Sequence, residues 1–199
     1  LELNDFIIKR DWFLDENGSL VRETGIEDRY KFAFTKTCPL IMGAKDDTSD
    51  GLLRIYENEE LNSVKFFGFQ ECKRLATGHV TRESRLAQGL AYITDWSENF
   101  PECFDKTRFL ILPTEQYIDI LYLDNCFKDS SFWMQFKFYY RTIKDLKEAT
   151  PSTLYKNSTA VKALLMEYKS RINTTHFEIN PELNFKDVVT NILENCEKE

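Results

Sequence analysis

Glycine and proline are scarce, at 7 and 5 residues in 199, which leaves no linker-like, collagen-like or low-complexity tract. No apolar run approaches the roughly 20 residues needed to span a bilayer, so no membrane partner is expected. Neither a glycine-rich phosphate loop nor a convincing nucleophile triad is present. The cysteines Cys38, Cys72, Cys103, Cys126 and Cys196 include no C-x-x-C pair, so free thiols in a reducing cytoplasm are expected rather than a disulfide framework or structural zinc. The two histidines, His79 and His176, have no sequence partner that would make either a metal-site case. There is no basic stretch leading into an apolar one, so no secretory signal is expected. The first residue is Leu1 rather than Met, and we expect a piece of a longer protein. No repeat of solenoid-like period is visible.

What is present is enough apolar side chain, 42%, to bury a core of its own. The net charge of -7 argues against a dedicated, sequence-independent nucleic-acid binder, because neutralising phosphates takes Lys and Arg. It is compatible with a metal site, which must concentrate carboxylates. Basic residues cluster locally, one patch at His79, Arg82 and Arg85 and another at Lys128, Lys137, Arg141, Lys144 and Lys147.

Apolar spacing at Ile26, Tyr30, Ala33 and Phe34 predicts a helix from about Glu23 to Cys38, ended by Pro39. Polar Lys45–Gly51 then leads into a short strand, Leu52–Tyr56, with a hairpin tip at Glu57–Glu60 and a second strand over Val64–Lys73. Gly78 precedes a helix from about Arg82 to Trp96. Two further strands fit Phe109–Leu112 and Tyr117–Tyr122, with a turn at Asp124–Asn125. The aromatic stretch Phe132–Tyr140 reads as alternating sheet core, although its interleaved cations also suit single-strand binding. Helices are expected near Thr159–Arg171 and over Phe185–Cys196. The fold class is therefore α/β, a central mixed sheet flanked by helices. The organisation is an N-terminal extension (1–22), a core (23–145) and a C-terminal helical extension (146–199).

Three stretches carry candidate chemistry in order: Ser49-Asp50-Gly51, Gln70-Glu71-Cys72-Lys73 and Gln88-Gly89-Leu90-Ala91-Tyr92. On a strand, residues two apart project to the same side, so Glu71 and Lys73 would point together and Cys72 away. Asp50 at the end of the neighbouring strand would then join Glu71 and the Cys72 carbonyl as oxygen ligands for Mg²⁺ or Mn²⁺. Lys73 would reach the attacking water or a phosphate. On the following helix Gln88 and Tyr92 stand four apart and share a face with Arg85, forming a polar stripe opposite Leu86, Leu90 and Ile93. Taken singly, Glu-x-Lys also arises as an ordinary ion pair and Gln-x-x-x-Tyr as a solvated helix face.

The ordered set, over roughly residues 23 to 123, resembles the PD-(D/E)xK nuclease superfamily, in particular its RecB-like branch with a Gln-x-x-x-Tyr motif, as found in restriction enzymes. The resemblance implies a restriction-endonuclease-like core and metal-dependent hydrolysis of DNA phosphodiester bonds. Asp50, Glu71 and Lys73 would be catalytic, with Asp50, Glu71 and Cys72 as metal ligands and Gln88 and Tyr92 contacting DNA or bracing the site. Arg85 and His79 are further candidate DNA contacts. Ser49 stands where the motif has Pro. Glu27, with Glu23 as rival, looks like the accessory acid many RecB-like members carry on the preceding helix. The cysteine spacings do not match the branch that holds an iron–sulfur cluster, and none is expected. Other domains or subunits for target recognition, translocation or methylation are expected partners. The alternatives are a DNA-binding or assembly module that keeps this fold without cleaving, and an unrelated α/β interaction domain.

Overall fold

The computed structural model describes residues 12–14, 19–22, 31–35, 51–56, 64–71, 81–114, 116–167, 174–183 and 185–198. Eight described strands form one sheet in chain order: β1 (Trp12–Leu14), β2 (Ser19–Arg22), β3 (Lys31–Thr35), β4 (Gly51–Tyr56), β5 (Val64–Gln70), β6 (Thr107–Pro113), β7 (Tyr117–Tyr122) and β8 (Thr174–Glu178). All neighbours are antiparallel except β5 and β6, which are parallel. A parallel pair needs a crossover. Here it is α1 (Arg82–Asn99), followed by the short α2 (Pro101–Phe104). The sheet is thus mixed and the class α/β.

The remaining helices are α3 (Asn125–Lys128), α4 (Ser131–Asp145), α5 (Leu154–Asn157), α6 (Thr159–Glu167) and α7 (Phe185–Cys196). Strand alternation divides the core between the two sheet faces. Phe67, Phe69, Leu110, Leu112 and Leu121 face α1 and, beyond it, α4 to α6. Phe66, Phe109, Ile111, Ile118 and Ile120 pack with Val188, Ile192 and Leu193 of α7. Two glycines permit close approach. A Cβ on Gly68 would fall 1.9 Å from the Phe109 ring, and one on Gly89 2.6 Å from a Leu110 methyl, so α1 lies tight on β6.

Four expectations need correction. The segment Lys31–Thr35, expected inside a helix, is β3: Phe32 pairs with Ile55 and Phe34 with Leu53. Its backbone pairs with β4, a partner distant in sequence, whereas the helical reading borrowed Ile26 and Tyr30, which lie outside the described residues. The aromatic stretch is the helix α4, not sheet. Phe132, Trp133, Phe136 and Tyr140 are buried at helical spacing while Met134 and Phe138 are exposed. The turn at Asp124–Asn125 opens α3, where the Asp124 carboxylate accepts from the Phe127 amide at 2.7 Å. Finally, the C-terminal segment expected to be helical also supplies β8, whose residues alternate between exposed and half-buried. No described helix is long and apolar enough to cross a membrane.

Candidate functional site

The candidate site lies at the end of the sheet where β4 begins and β5 and β6 finish. Gly51 is paired with Gln70. One residue further, the Glu71 amide donates to the Ile111 carbonyl at 3.0 Å, so the ladder with β6 carries past the last residue of β5. Glu71 is buried, at 1% exposure, and by alternation falls on the α1 side with Phe67 and Phe69. Glu27, Asp50, Cys72, Lys73 and His79, with the rival Glu23, lie outside the described residues.

Helix α1 carries the remaining candidates. A reciprocal cap starts it: Thr81 Oγ1 accepts from the Ser84 amide at 3.1 Å and Ser84 Oγ from the Thr81 amide at 3.0 Å. Gln88 Nε2 donates to the Tyr92 hydroxyl at 3.2 Å, so the two residues four apart do meet. They do not form an accessible stripe, however. Arg85, Gln88 and Tyr92 are 0%, 7% and 2% exposed, because α1 is covered by the sheet on one side and by α4, α5 and α6 on the other. Leu86, Leu90 and Ile93 are buried as the apolar spacing predicts.

Arg85 is spent on the protein. Its Nη1 donates to the Leu112 carbonyl at 2.9 Å, and its Nη2 to the Tyr117 hydroxyl at 3.2 Å and Asp119 Oδ2 at 3.4 Å. The guanidinium also lies 5.1 Å from the Tyr117 ring centroid. Arg82 Nε reaches the same Asp119 oxygen at 3.6 Å, and Arg82 Nη2 donates to Thr174 Oγ1 at 3.0 Å. The other Asp119 oxygen, Oδ1, is 2.7 Å from His176 Nδ1, while His176 Nε2 is 2.8 Å from Glu178 Oε1. These two hydrogen bonds, Glu178 first and Asp119 second, hold the imidazole above its ordinary value against the opposing effect of burial.

Asp119 and His176 form a polar hub that motif reading missed. Leu112 pairs with Asp119 and Asp119 with His176, so these residues continue across β6, β7 and β8 the row that Glu71 begins. At about 4.8 Å per strand, Asp119 stands about 10 Å from Glu71. One signal was available: an acid within the apolar run Ile118-Asp119-Ile120-Leu121 must find partners if the strand is buried.

The second basic patch is also largely committed. Lys128 Nζ donates to the Phe104 and Asp105 carbonyls at 2.8 and 3.1 Å, and burial pushes its amine down to about 8. Arg141 pairs with Glu98, and Lys144 with the buried Asp95, which also accepts from the Tyr140 hydroxyl at 2.9 Å. Burial raises the Asp95 carboxyl despite the opposing Lys144. Among the described residues no group of three or more His, Cys, Asp or Glu side chains could hold a metal ion. Glu71 is therefore the one described member of the candidate ligand set. Compared with known proteins, the chain matches no family model, no curated protein and no solved structure.

Proposed function

We propose that this chain is a divalent-metal-dependent DNA endonuclease domain with a restriction-endonuclease-like core, part of a restriction-modification enzyme. The observation that carries the reading is the meeting of the start of β4 and the end of β5 at one end of the sheet. Gly51 and Gln70 are cross-strand partners, so Glu71, one residue past Gln70, comes at the end of the sheet where β4 begins, and Asp50 is the residue that precedes β4 in the sequence. The buried Gln88–Tyr92 pair on α1 follows in the order the motif requires. The succession β4, β5, α1 and β6, with β6 parallel to β5, brings that helix back over the sheet.

Asp50, Glu71, the Cys72 carbonyl and Glu27 are oxygen donors, the kind a hard cation takes, and would hold Mg²⁺ or Mn²⁺. When bound, the ion supplies positive charge at the phosphate and makes a bound water more acidic. The chain's own residues do the remaining work. Lys73 orients the attacking water and, as the neutral amine, takes its proton; the phosphodiester P–O bond breaks as the new P–O bond forms, and the departing oxygen is protonated from solvent. Gln88 and Tyr92, locked by their mutual hydrogen bond and burial, brace α1 beside Glu71. Arg85, held by Leu112, Tyr117 and Asp119, fixes the first turns of that helix.

The experiment is nicking of supercoiled plasmid with Mn²⁺, beside an EDTA control and the variants Asp50→Ala and Lys73→Ala. Nicking that EDTA and Asp50→Ala both abolish supports the reading. Wild-type activity in Lys73→Ala removes that residue from the mechanism, and no nicking combined with no calorimetric Mn²⁺ binding overturns the reading altogether. A non-cleaving assembly module is the second reading. The commitment of Arg82, Arg85, Lys128, Arg141 and Lys144 to internal partners favours it, since these cations are poorly placed to neutralise phosphates.

A further inference from the structure

We propose that His176 is a protonation-controlled latch that fastens the edge strand β8 to β7, a device separate from the nuclease reading. The argument starts from donor inventory. An ionised carboxylate only accepts hydrogen bonds, and a neutral imidazole donates through one nitrogen alone. Both His176 nitrogens lie at hydrogen-bond distance from a carboxylate oxygen, Nδ1 from Asp119 at 2.7 Å and Nε2 from Glu178 at 2.8 Å. Both contacts are favourable together only when both nitrogens carry protons, as in the imidazolium.

The groups around His176 agree with that state. On β7 it faces Asp119 and Tyr117, whose ring centroid is 5.2 Å from its own. On β8 it faces Glu178. From α1, Arg82 and Arg85 occupy Asp119 Oδ2, which leaves Oδ1 to His176. The imidazole is half-exposed, at 47%, so its proton exchanges directly with solvent.

The attachment of β8 makes this charge matter. Its apolar residue Phe177 packs on the α7 side of the sheet. Towards α1, Thr174, His176 and Glu178 are the residues presented, tied by Arg82 to Thr174 and by His176 to Asp119. Loss of the proton from Nε2 turns a lone pair towards the Glu178 carboxylate and leaves the Asp119 contact without the attraction between imidazolium and carboxylate. Loosening of β8 then uncovers the β7 edge, with its apolar Ile118 and Ile120.

The test is imidazole ¹⁵N NMR on the full chain, with His176→Gln to separate the His176 signals from those of His79, and amide exchange of Thr174–Glu178 recorded as protection factors across pH. Expected are an imidazolium at neutral pH that titrates above the ordinary imidazole value, and β8 protection that falls roughly five- to tenfold through that titration. Glu178→Gln, a surface change that leaves the fold intact, should lower the titration point. His176→Gln should make β8 protection independent of pH. A neutral His176 at pH 7, or β8 protection in the wild type that does not follow its titration, overturns the proposal.

Discussion

Arg85 shows how much a single side chain can be asked to hold. It satisfies a carbonyl on β6, a hydroxyl and a carboxylate on β7 from a position with no solvent exposure. Arg85→Met should cost about 3 kcal/mol, measured by urea denaturation, because Asp119 loses its fully buried charge partner. Arg85→Lys should recover little, since one ammonium cannot reproduce the planar fork. Gly68→Ala should cost roughly 1–3 kcal/mol in the same assay through overlap of the new methyl with Phe109. The sequence signals at this scale were uneven. Gln88 and Tyr92 could be paired from their spacing, and Glu71 located from its strand. The partners of Arg85 could not be found, because Leu112, Tyr117 and Asp119 come from strands whose register no local pattern encodes.

At the scale of elements, α4 gives the sharpest test. A strand over Phe132–Tyr140 would put Phe136 and Phe138 on one face, whereas the helix buries the first and exposes the second, at 0% and 65%. Phe136→Ala should therefore cost about 3–5 kcal/mol and Phe138→Ala no more than about 0.5, compared by thermal or chemical unfolding. The cap of α1 is a second case: Thr81→Ala should cost about 1 kcal/mol. The helices α1, α6 and α7 and the strands β4 to β7 were legible because each carries its own periodicity and stop signals. The strands β3 and β8 were not. Phe32 and Phe34 fit a helix as readily as a strand until Ile55 and Leu53 face them, and Thr174–Glu178 is too polar to announce a strand before β7 offers it an edge.

For the whole molecule, the titrating groups give stability a pH dependence whose sign can be worked out. The folded pKa of His176 lies above its ordinary value of about 6.5, so its contribution is fully present below that pH and is lost as pH rises through the raised value. Lys128, pushed down to about 8 by burial, acts in the opposite sense, but only above that point. Urea midpoints compared at about pH 6 and 7.5 should therefore fall with pH in the wild type and stay level in His176→Gln. The order of the sheet has a consequence for how the chain is made. Every described strand from Trp12 to Glu178 lies beside its predecessor in the chain, so during synthesis each can join an exposed edge as it emerges, and none need be inserted between strands already paired. The longest wait falls to β8, which must follow α3 to α6 before it reaches β7, making the last of the described strands also the one whose docking depends on the most prior folding.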